Sequence, residues 1–223
     1  MLCSLSMNKG TLLGQIPSLF VLVLSLRADE PRPVPTTPSP TPQPTDFVEV
    51  IKTIPNIVID LRYATAHNFF KKRLYGSDRC YLRRAVVEKL ALVQKDLNQQ
   101  GLGLKIWDGY RPLSVQWQLW KVVPDTRYVA DPRQGSRHNR GAAIDATLID
   151  LKTGQELPMP TGFDDFTPKA AADYPDVPAE ALHHRRILHE AMKGQGFTPL
   201  STEWWHFDAP GWEKYPVSDE PVK

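Results

Sequence analysis

The sequence has little cysteine, almost no net charge and no long hydrophobic run, and each lack narrows the classes of protein it can belong to. Only Cys3 and Cys80 occur among 223 residues, so disulfides are not expected to hold the fold together. The formal net charge of +2 gives no strong basic field, which argues against a nucleic-acid partner or an anionic membrane surface. With 41% hydrophobic and 23% charged residues, the chain has the composition of a globular protein with a sizeable core.

The longest apolar run, residues 16–26, predicts a signal peptide. It is too short for a membrane span, which needs about 20 residues, but is typical of a signal-peptide core. Lys9 supplies a positive charge upstream, and Ser25 and Ala28 offer small residues for cleavage. An amphipathic or buried helix is the alternative. We expect residues 1–28 to be removed on export to the periplasm, with no stable membrane insertion afterwards.

A proline-rich linker is predicted over residues 29–45. Seven prolines fall between residues 31 and 45, a density that favours an extended, polyproline-like spacer over packed structure. A single folded domain is therefore expected over residues 46–223. Cys80, the cysteine that remains there, is predicted to be a structural thiol.

Short apolar stretches and amphipathic stretches mix along this domain without regular βαβ repeats. The pattern predicts an α+β fold with a central, mostly antiparallel sheet and flanking helices. The candidate metal-site residues described next would place a zinc site at that sheet. The predicted helices are 84–100, 112–120 and 179–194, and the predicted strands are 47–51, 57–60, 104–107, 142–149 and 204–208.

Two of the six histidines lie in segments typical of metal sites. His138 lies in a polar loop that contains a glycine, shortly before Asp145 at the start of an apolar strand. A buried aspartate is costly unless a cation takes its charge, and imidazole and carboxylate are suitable zinc ligands. In the second segment, His206 follows Glu203 on a strand, and a bend there would bring Glu203 over the same metal.

A site with three protein ligands keeps a fourth coordination position for water, which is typical of catalytic rather than structural zinc. A carboxylate beside that position, here Glu203, can take a proton and later give it to a leaving amine. Spacing alone leaves other interpretations open. Each histidine can be an ordinary core residue, and Asp145 can pair with Arg137 or Arg140.

Five segments in a fixed order make the sequence similar to a known family. They are 60–69 (DLRYATAHNF), 107–112 (WDGYRP), 136–145 (SRHNRGAAID), 163–164 (FD) and 203–206 (EWWH). Together they resemble the D-alanyl-D-alanine dipeptidases, the family of the vancomycin-resistance dipeptidase, within the zinc D,D-peptidases. The resemblance runs from about residue 46 to 223.

The resemblance implies a role for each residue of the expected centre. One zinc ion per chain would be held by His138, Asp145 and His206. Glu203 would be the catalytic acid/base, and Arg111 would stabilise the transition state. The chemistry agrees, because attack on an amide builds negative charge on the carbonyl oxygen, which a fixed guanidinium can stabilise. A structural ion pair with Asp108 is the alternative for Arg111, and the motif disfavours it.

The resemblance also implies a substrate pocket formed by Ser136, Tyr63 and Asp164. A free dipeptide carries an ammonium and a carboxylate, so Asp164 suits the first and Ser136 suits the second or the adjacent amide. Asp165 is the alternative acid, and Asp164 is favoured because it follows Phe163 as in the family motif. His67 departs from the acidic residue expected in some relatives and is expected to alter selectivity.

The predicted function is zinc-dependent hydrolysis of D-alanyl-D-alanine or related D,D-dipeptides in peptidoglycan metabolism. One alternative is a D,D-carboxypeptidase or endopeptidase that acts on peptidoglycan peptides with the same metal site. The other, from a different class, is a non-catalytic zinc-containing module that binds the cell wall. A complete Glu203 and Arg111 argue against the module, because binding alone needs no group that activates water.

Overall fold

The computed structural model describes residues 41–222. The predicted signal peptide and the linker up to residue 40 lie outside the described residues, so both stay predictions. Within residues 41–222, no helix is both long enough and apolar enough to cross a membrane.

Seven strands form two sheets within residues 41–222. The strands are β1 (Phe47–Glu49), β2 (Val58–Ile59), β3 (Tyr81–Arg83), β4 (Leu102–Asp108), β5 (Ala143–Asp150), β6 (Thr198–Leu200) and β7 (Glu203–Asp208). The larger sheet has the spatial order β2-β4-β5-β7-β6. In it β2 runs parallel to β4 and the other neighbours are antiparallel. β1 and β3 form a separate antiparallel pair.

Four α-helices accompany the sheets in the described part of the chain. They are α1 (Val50–Thr53), α2 (Arg84–Asn98), α3 (Leu113–Val122) and α4 (Ala179–Gly194). α2 packs against β4 and α4 through apolar residues that recur every three or four positions, as in an amphipathic helix: Val86, Leu90, Val93 and Leu97 are all buried. α4 in turn packs against β5 and β6. The predicted α+β domain with a mostly antiparallel central sheet and flanking helices is confirmed.

The predicted strand over residues 47–51 is wrong in its second half. The strand ends at Glu49, and Val50 begins the short helix α1. The Val50 N–H donates to the Cys80 carbonyl (2.9 Å), and the Val50 carbonyl accepts from the Ile54 N–H (2.9 Å). One helical turn buries Val50 and leaves Ile51 exposed, so the apolar run that suggested a longer strand is divided between two elements.

An aromatic layer lies against the sheet beside the candidate site. Trp107 and Trp204 have ring centroids 5.7 Å apart, Trp204 and Trp205 5.5 Å, and Trp205 and Phe163 5.8 Å. All three tryptophans are buried. Rigid, closely packed rings on β4 and β7 therefore stabilise the strands that carry the site.

Candidate metal centre and substrate cavity

Strand register brings two of the three predicted metal ligands together. Asp145 on β5 is paired directly with His206 on β7, and on its other side Asp145 is paired with Asp108 on β4. Side chains directly opposite on neighbouring antiparallel strands lie close together on one face of a sheet. The site is thus built on the two central strand pairs, as predicted for a metal site at the sheet.

A tight turn supplies the third ligand. His138 begins a 3₁₀ turn (His138–Arg140) that ends at Gly141, whose φ of 67° is left-handed. A side chain at Gly141 would collide with the ring of Phe47, so glycine is required twice over, by conformation and by space. Ser136 and Asn139 fix the turn from within, because the Ser136 N–H donates to Asn139 Oδ1 (2.7 Å) and the His138 N–H donates to Ser136 Oγ (3.2 Å).

The three side chains form a compact, buried group of metal-ligand atoms. His206 Nδ1 lies 3.0 Å from Asp145 Oδ1, and His138 Nε2 lies 3.3 Å from the same oxygen. The two imidazole nitrogens are 3.1 Å apart. His138, Asp145 and His206 are at most 6% exposed, and together they could hold a metal ion.

Each imidazole makes a hydrogen bond through the ring nitrogen that faces away from the centre, and these bonds show that the three side chains suit a cation. His138 Nδ1 donates to the Gly109 carbonyl (2.7 Å), which leaves the lone pair of Nε2 facing the centre. His206 Nε2 lies 3.0 Å from Asp208 Oδ1, so that Nδ1 faces the centre. Two nitrogen lone pairs and one carboxylate oxygen then converge, and they would repel one another without a positive charge between them.

The pKa values of the group report the same preference. Burial alone would lower the pKa of His206, but Asp145 and Asp208 stabilise its charged form and raise the pKa to about 10. Burial would also raise the pKa of Asp145, but His138 and His206 outweigh this and lower it. Without a metal, the group therefore keeps a proton at its centre. Two imidazoles and a carboxylate are a ligand set that suits zinc, among other divalent ions.

Glu203 enters the same site through an irregularity in β7. Pairing with β6 shifts register between the Pro199–Phe207 and Leu200–Glu203 pairs, so the pairing of β7 is irregular beside Glu203. Glu203 Oε2 lies 3.9 Å from His206 Nδ1. Burial raises the pKa of Glu203 to about 8, although His206 opposes the shift.

Arg111 is held by the ion pair with Asp108 that the motif disfavoured. Its Nε and Nη2 donate to Asp108 Oδ2 (3.0 and 2.6 Å), and its Nη1 donates to Gln116 Oε1 (2.9 Å). Asp108 is fully buried and also accepts from the Tyr75 hydroxyl (2.5 Å). The guanidinium nevertheless lines the cavity, with Nη2 3.9 Å from Asp145 Oδ2. The ion pair therefore fixes the position of Arg111 beside the centre.

Asp164 faces the cavity from a strained turn. Its φ of 56° is unusual for a residue other than glycine, and such strain often marks functional positions. The Tyr63 hydroxyl donates to Asp164 Oδ2 (3.0 Å). Burial raises the pKa of Asp164 to about 8, with a further contribution from Asp145. Asp165, the alternative acid, instead accepts from the Thr167 N–H (2.9 Å) and is absent from the cavity wall.

All eight predicted site residues line one cavity of about 290 Å³. They are Tyr63, Arg111, Ser136, His138, Asp145, Asp164, Glu203 and His206. His67 is exposed and is not part of this wall, so its expected influence on selectivity has no support in the geometry. The aromatic residues Phe69, Tyr128 and Phe166 also line the cavity. The ring centroid of Phe166 lies 5.2 Å from that of Phe69 and 5.2 Å from that of Tyr128.

Sequence reasoning missed the residues that hold the site residues in place. Asp108 was weighed only as a competing partner, and Asp208, Asn139 and Gln116 were not considered. Asp208 had a usable signal, because residues two apart on a strand share a face and His206 was already a candidate. Asn139 and Gln116 act through contacts with Arg111 that only the fold creates.

The fold and the site together define the chain as a metallopeptidase, a single α+β domain with a buried His-Asp-His group beside a glutamate. A family model described as D-ala-D-ala dipeptidase matches residues 43–220. The chain belongs to this D-alanyl-D-alanine dipeptidase family.

Three relatives show how far the similarity extends, and each bears the name D-alanyl-D-alanine dipeptidase. The Escherichia coli protein is 40% identical over 173 residues, which cover 78% of this chain and 89% of the relative. The Streptomyces coelicolor protein is 33% identical, over 73% of this chain and 90% of the relative. The Enterococcus faecium protein is 32% identical, over 74% and 92%.

Proposed function

We propose that this chain is a zinc-dependent dipeptidase that hydrolyses D-alanyl-D-alanine or closely related D,D-dipeptides. One observation carries the proposal: an acid that suits an ammonium and a metal-ligand group with its arginine lie on the wall of one small cavity. Asp164 and Arg111 both line it, as do His138, Asp145 and His206. The three relatives, each named D-alanyl-D-alanine dipeptidase, agree with this substrate.

His138 Nε2, Asp145 Oδ1 and His206 Nδ1 are the atoms that we propose hold the metal. When bound there, zinc supplies a Lewis acid that polarises the peptide carbonyl and lowers the pKa of water. The hydrogen bonds to Gly109 and Asp208 keep both imidazoles aimed at the centre.

Glu203 is proposed to carry the proton. In its charged form the carboxylate accepts a proton from the attacking water, and in its neutral form it donates that proton to the leaving amine. A glutamate with an ordinary pKa holds a proton poorly at neutral pH, whereas burial raises the pKa of Glu203 to about 8. Both forms are then accessible near neutral pH.

Arg111 is proposed to stabilise the negative charge that develops on the carbonyl oxygen. Its bond to Asp108 and to Gln116 fixes the plane of the guanidinium. A donor that is already oriented costs no reorganisation when the charge forms, which is what makes it effective.

The two ends of the dipeptide are proposed to bind Asp164 and Ser136. Asp164, held by the Tyr63 hydroxyl, would pair with the free ammonium. Ser136, 5% exposed and on the cavity wall, would donate to the carboxylate or to the adjacent amide. Phe69, Tyr128 and Phe166, which also line the cavity, are proposed to limit the length of peptide that it accepts.

Kinetics on a matched set of peptides test the substrate. Zinc-loaded protein is assayed with D-alanyl-D-alanine, its N-acetyl derivative and a pentapeptide that ends in D-alanyl-D-alanine. We expect rapid cleavage of the free dipeptide alone, because acetylation removes the ammonium that Asp164 would bind. Cleavage of the pentapeptide but not of the dipeptide would show a carboxypeptidase instead. Zinc binding without cleavage of any of them would show a binding module.

We further propose that the enzyme works outside the cytoplasm, in the periplasm. The apolar run at residues 16–26 and the proline-rich stretch that follows support export. There the enzyme would meet dipeptides from wall turnover, whereas a resistance enzyme must act on the cytoplasmic pool of wall precursor. Cell fractionation with N-terminal sequencing of the mature protein tests this, and a full-length cytoplasmic protein would contradict it.

A further inference from the structure

We propose that Asp208 is a positioning residue that makes Nδ1, and not Nε2, the metal-binding nitrogen of His206. The inference rests on the proposed metal centre and adds to it a residue that holds a ligand without touching the metal. It starts from one contact: Asp208 Oδ1 lies 3.0 Å from His206 Nε2.

The backbone makes this contact a fixed one. His206 and Asp208 are two residues apart on β7, so their side chains share a face of the strand. Pairing holds both residues in register, because His206 is opposite Asp145 and Asp208 is opposite Ala143 on β5 and Thr198 on β6. Strand pairing therefore holds the backbone of Asp208 in the position that places its carboxylate beside the imidazole.

Once a metal ion has displaced one proton from His206, the imidazole keeps one N–H, and two carboxylates are placed to accept it. Asp145 Oδ1 is 3.0 Å from Nδ1, and Asp208 Oδ1 is 3.0 Å from Nε2. If Asp145 held the proton on Nδ1, the lone pair would lie on Nε2, which faces away from His138. If Asp208 holds it on Nε2, the Nδ1 lone pair faces Asp145 and His138 Nε2. Only the second arrangement presents three ligand atoms to one ion.

Asp145 and Asp208 lie at equal distances from the two ring nitrogens, so distance alone does not determine which nitrogen carries the proton. The negative charge of Asp208 is needed to keep the proton on Nε2. With Asp208 removed, Asp145 would be left as the one close carboxylate acceptor and would draw the proton to Nδ1. A metal ion that takes Nδ1 would then leave the remaining N–H on Nε2 without its carboxylate acceptor. An outer carboxylate on a ligating histidine fixes its tautomer and raises its basicity, and its loss typically lowers metal affinity about 10- to 100-fold.

His138, the other proposed histidine ligand, is oriented by a backbone group. Asp208 is therefore the side chain whose substitution can change the orientation of a ligating imidazole. His138 Nδ1 donates to the backbone carbonyl of Gly109 (2.7 Å), a partner that no side-chain substitution removes. Asp208 has its other oxygen 3.4 Å from Arg137 Nε, at ion-pair distance without hydrogen-bond geometry. Arg137 in turn lies over the Trp212 ring, 4.6 Å from its centroid.

Zinc affinity and a cobalt spectrum test the proposal on the purified full chain. Asp208→Ala removes the acceptor, and Asp208→Asn keeps an acceptor of nearly the same shape but removes the charge. Asp150→Asn is the matched control, since Asp150 lies at the far end of β5 and has no contact with the centre. Affinity is measured by competition with a chromophoric chelator, and visible absorption of the cobalt-substituted protein reports the ligand geometry.

We expect Asp208→Ala to lower zinc affinity about 10- to 100-fold and to change the cobalt spectrum. Asp208→Asn should fall between it and the wild type, and Asp150→Asn should match the wild type in both. Wild-type affinity and spectrum in a folded Asp208→Ala protein would overturn the inference. If that variant does not fold, Asp208→Asn decides, and wild-type values there would overturn it. If the wild type itself does not bind zinc, the proposed metal centre fails first.

Discussion

Asp145 and His206 are opposite each other in the pairing of β5 and β7, and their side chains meet at 3.0 Å. Two proposed ligands are thus placed by sheet register, which tolerates little error, because a slip of one residue turns every side chain to the other face. His138 arrives from a turn whose closing glycine has left-handed φ. The centre therefore depends on the sheet more than on any loop.

The first prediction concerns metal removal and pH. Because the pKa of His206 is raised to about 10 without metal, a metal ion must displace a proton from the site at neutral pH. Zinc affinity should therefore rise by about one decade per pH unit between pH 6 and pH 8, since metal binding that releases one proton has this slope. Chelator competition at several pH values measures it. An affinity independent of pH in this window would contradict the raised pKa.

Replacement of Glu203 should separate catalysis from metal binding. Glu203→Gln keeps the shape of the side chain but cannot carry the proton, so turnover should fall roughly 100- to 10,000-fold, the usual contribution of general acid–base catalysis. The zinc content, measured on the same sample, should stay near one per chain. His206→Ala is the contrasting variant and should lose metal. Full turnover in Glu203→Gln would show that another group carries the proton.

The sequence predicted the chemistry of the site better than the support around it. His138, Asp145, Glu203 and His206 were candidates by residue type, the ordered family motifs assigned their roles, and all four line one cavity. Most helices and strands followed from periodicity, and α4 matches its predicted bounds. Residues 50 and 51 were assigned to a strand because an apolar pair on a helical turn has the same composition as the end of a strand.

What could not be predicted depends on contacts between distant segments. β3 and β6 have three residues each, too few for a periodic signal. The Arg111–Asp108 pair was foreseen only as an alternative to function, whereas the fold uses it to orient Arg111 toward the cavity. The contact between Tyr63 and Asp164 joins residues 101 positions apart, and the bare sequence gives no physical reason for it.

Arg111 is predicted to act in the transition state and to stabilise the fold, and two variants distinguish these roles. Arg111→Ala would leave the buried Asp108 charge without its partner, a change that costs about 3–5 kcal/mol, so lost activity there would be ambiguous. Arg111→Lys keeps the charge but cannot bond Asp108, Gln116 and the substrate at once. We expect kcat to fall roughly 100- to 1,000-fold, as for loss of an oxyanion donor, with a smaller change in KM. An unchanged kcat would contradict the role.

Asp164 should hold the substrate at the expense of stability. Its pKa is raised by burial from 3.8 to about 8, so the folded state binds the proton more tightly than the unfolded state does. The stability of the metal-free protein should therefore fall as pH rises between about 4 and 8, because in that range the folded state holds a proton that the unfolded state has released. Asp164→Asn should make this dependence less steep, and Glu203, whose pKa is also raised to about 8, should account for part of what remains. The substitution should also raise the melting temperature at pH 9, where the wild type must bury the Asp164 charge.

The same substitution should weaken dipeptide binding. Loss of a hydrogen bond to a charged group costs about 1.5–3 kcal/mol, or about 10- to 100-fold in KM, with kcat less affected. Asp165→Asn is the matched control, because Asp165 contacts the Thr167 backbone and not the cavity. Thermal unfolding across pH and dipeptide kinetics on the same three proteins provide the comparison. If Asp164→Asn were less stable than the wild type at pH 9, the Asp164 carboxylate of the wild type would be paired with a cation at that pH. If KM were unchanged, the ammonium of the substrate would bind elsewhere in the cavity.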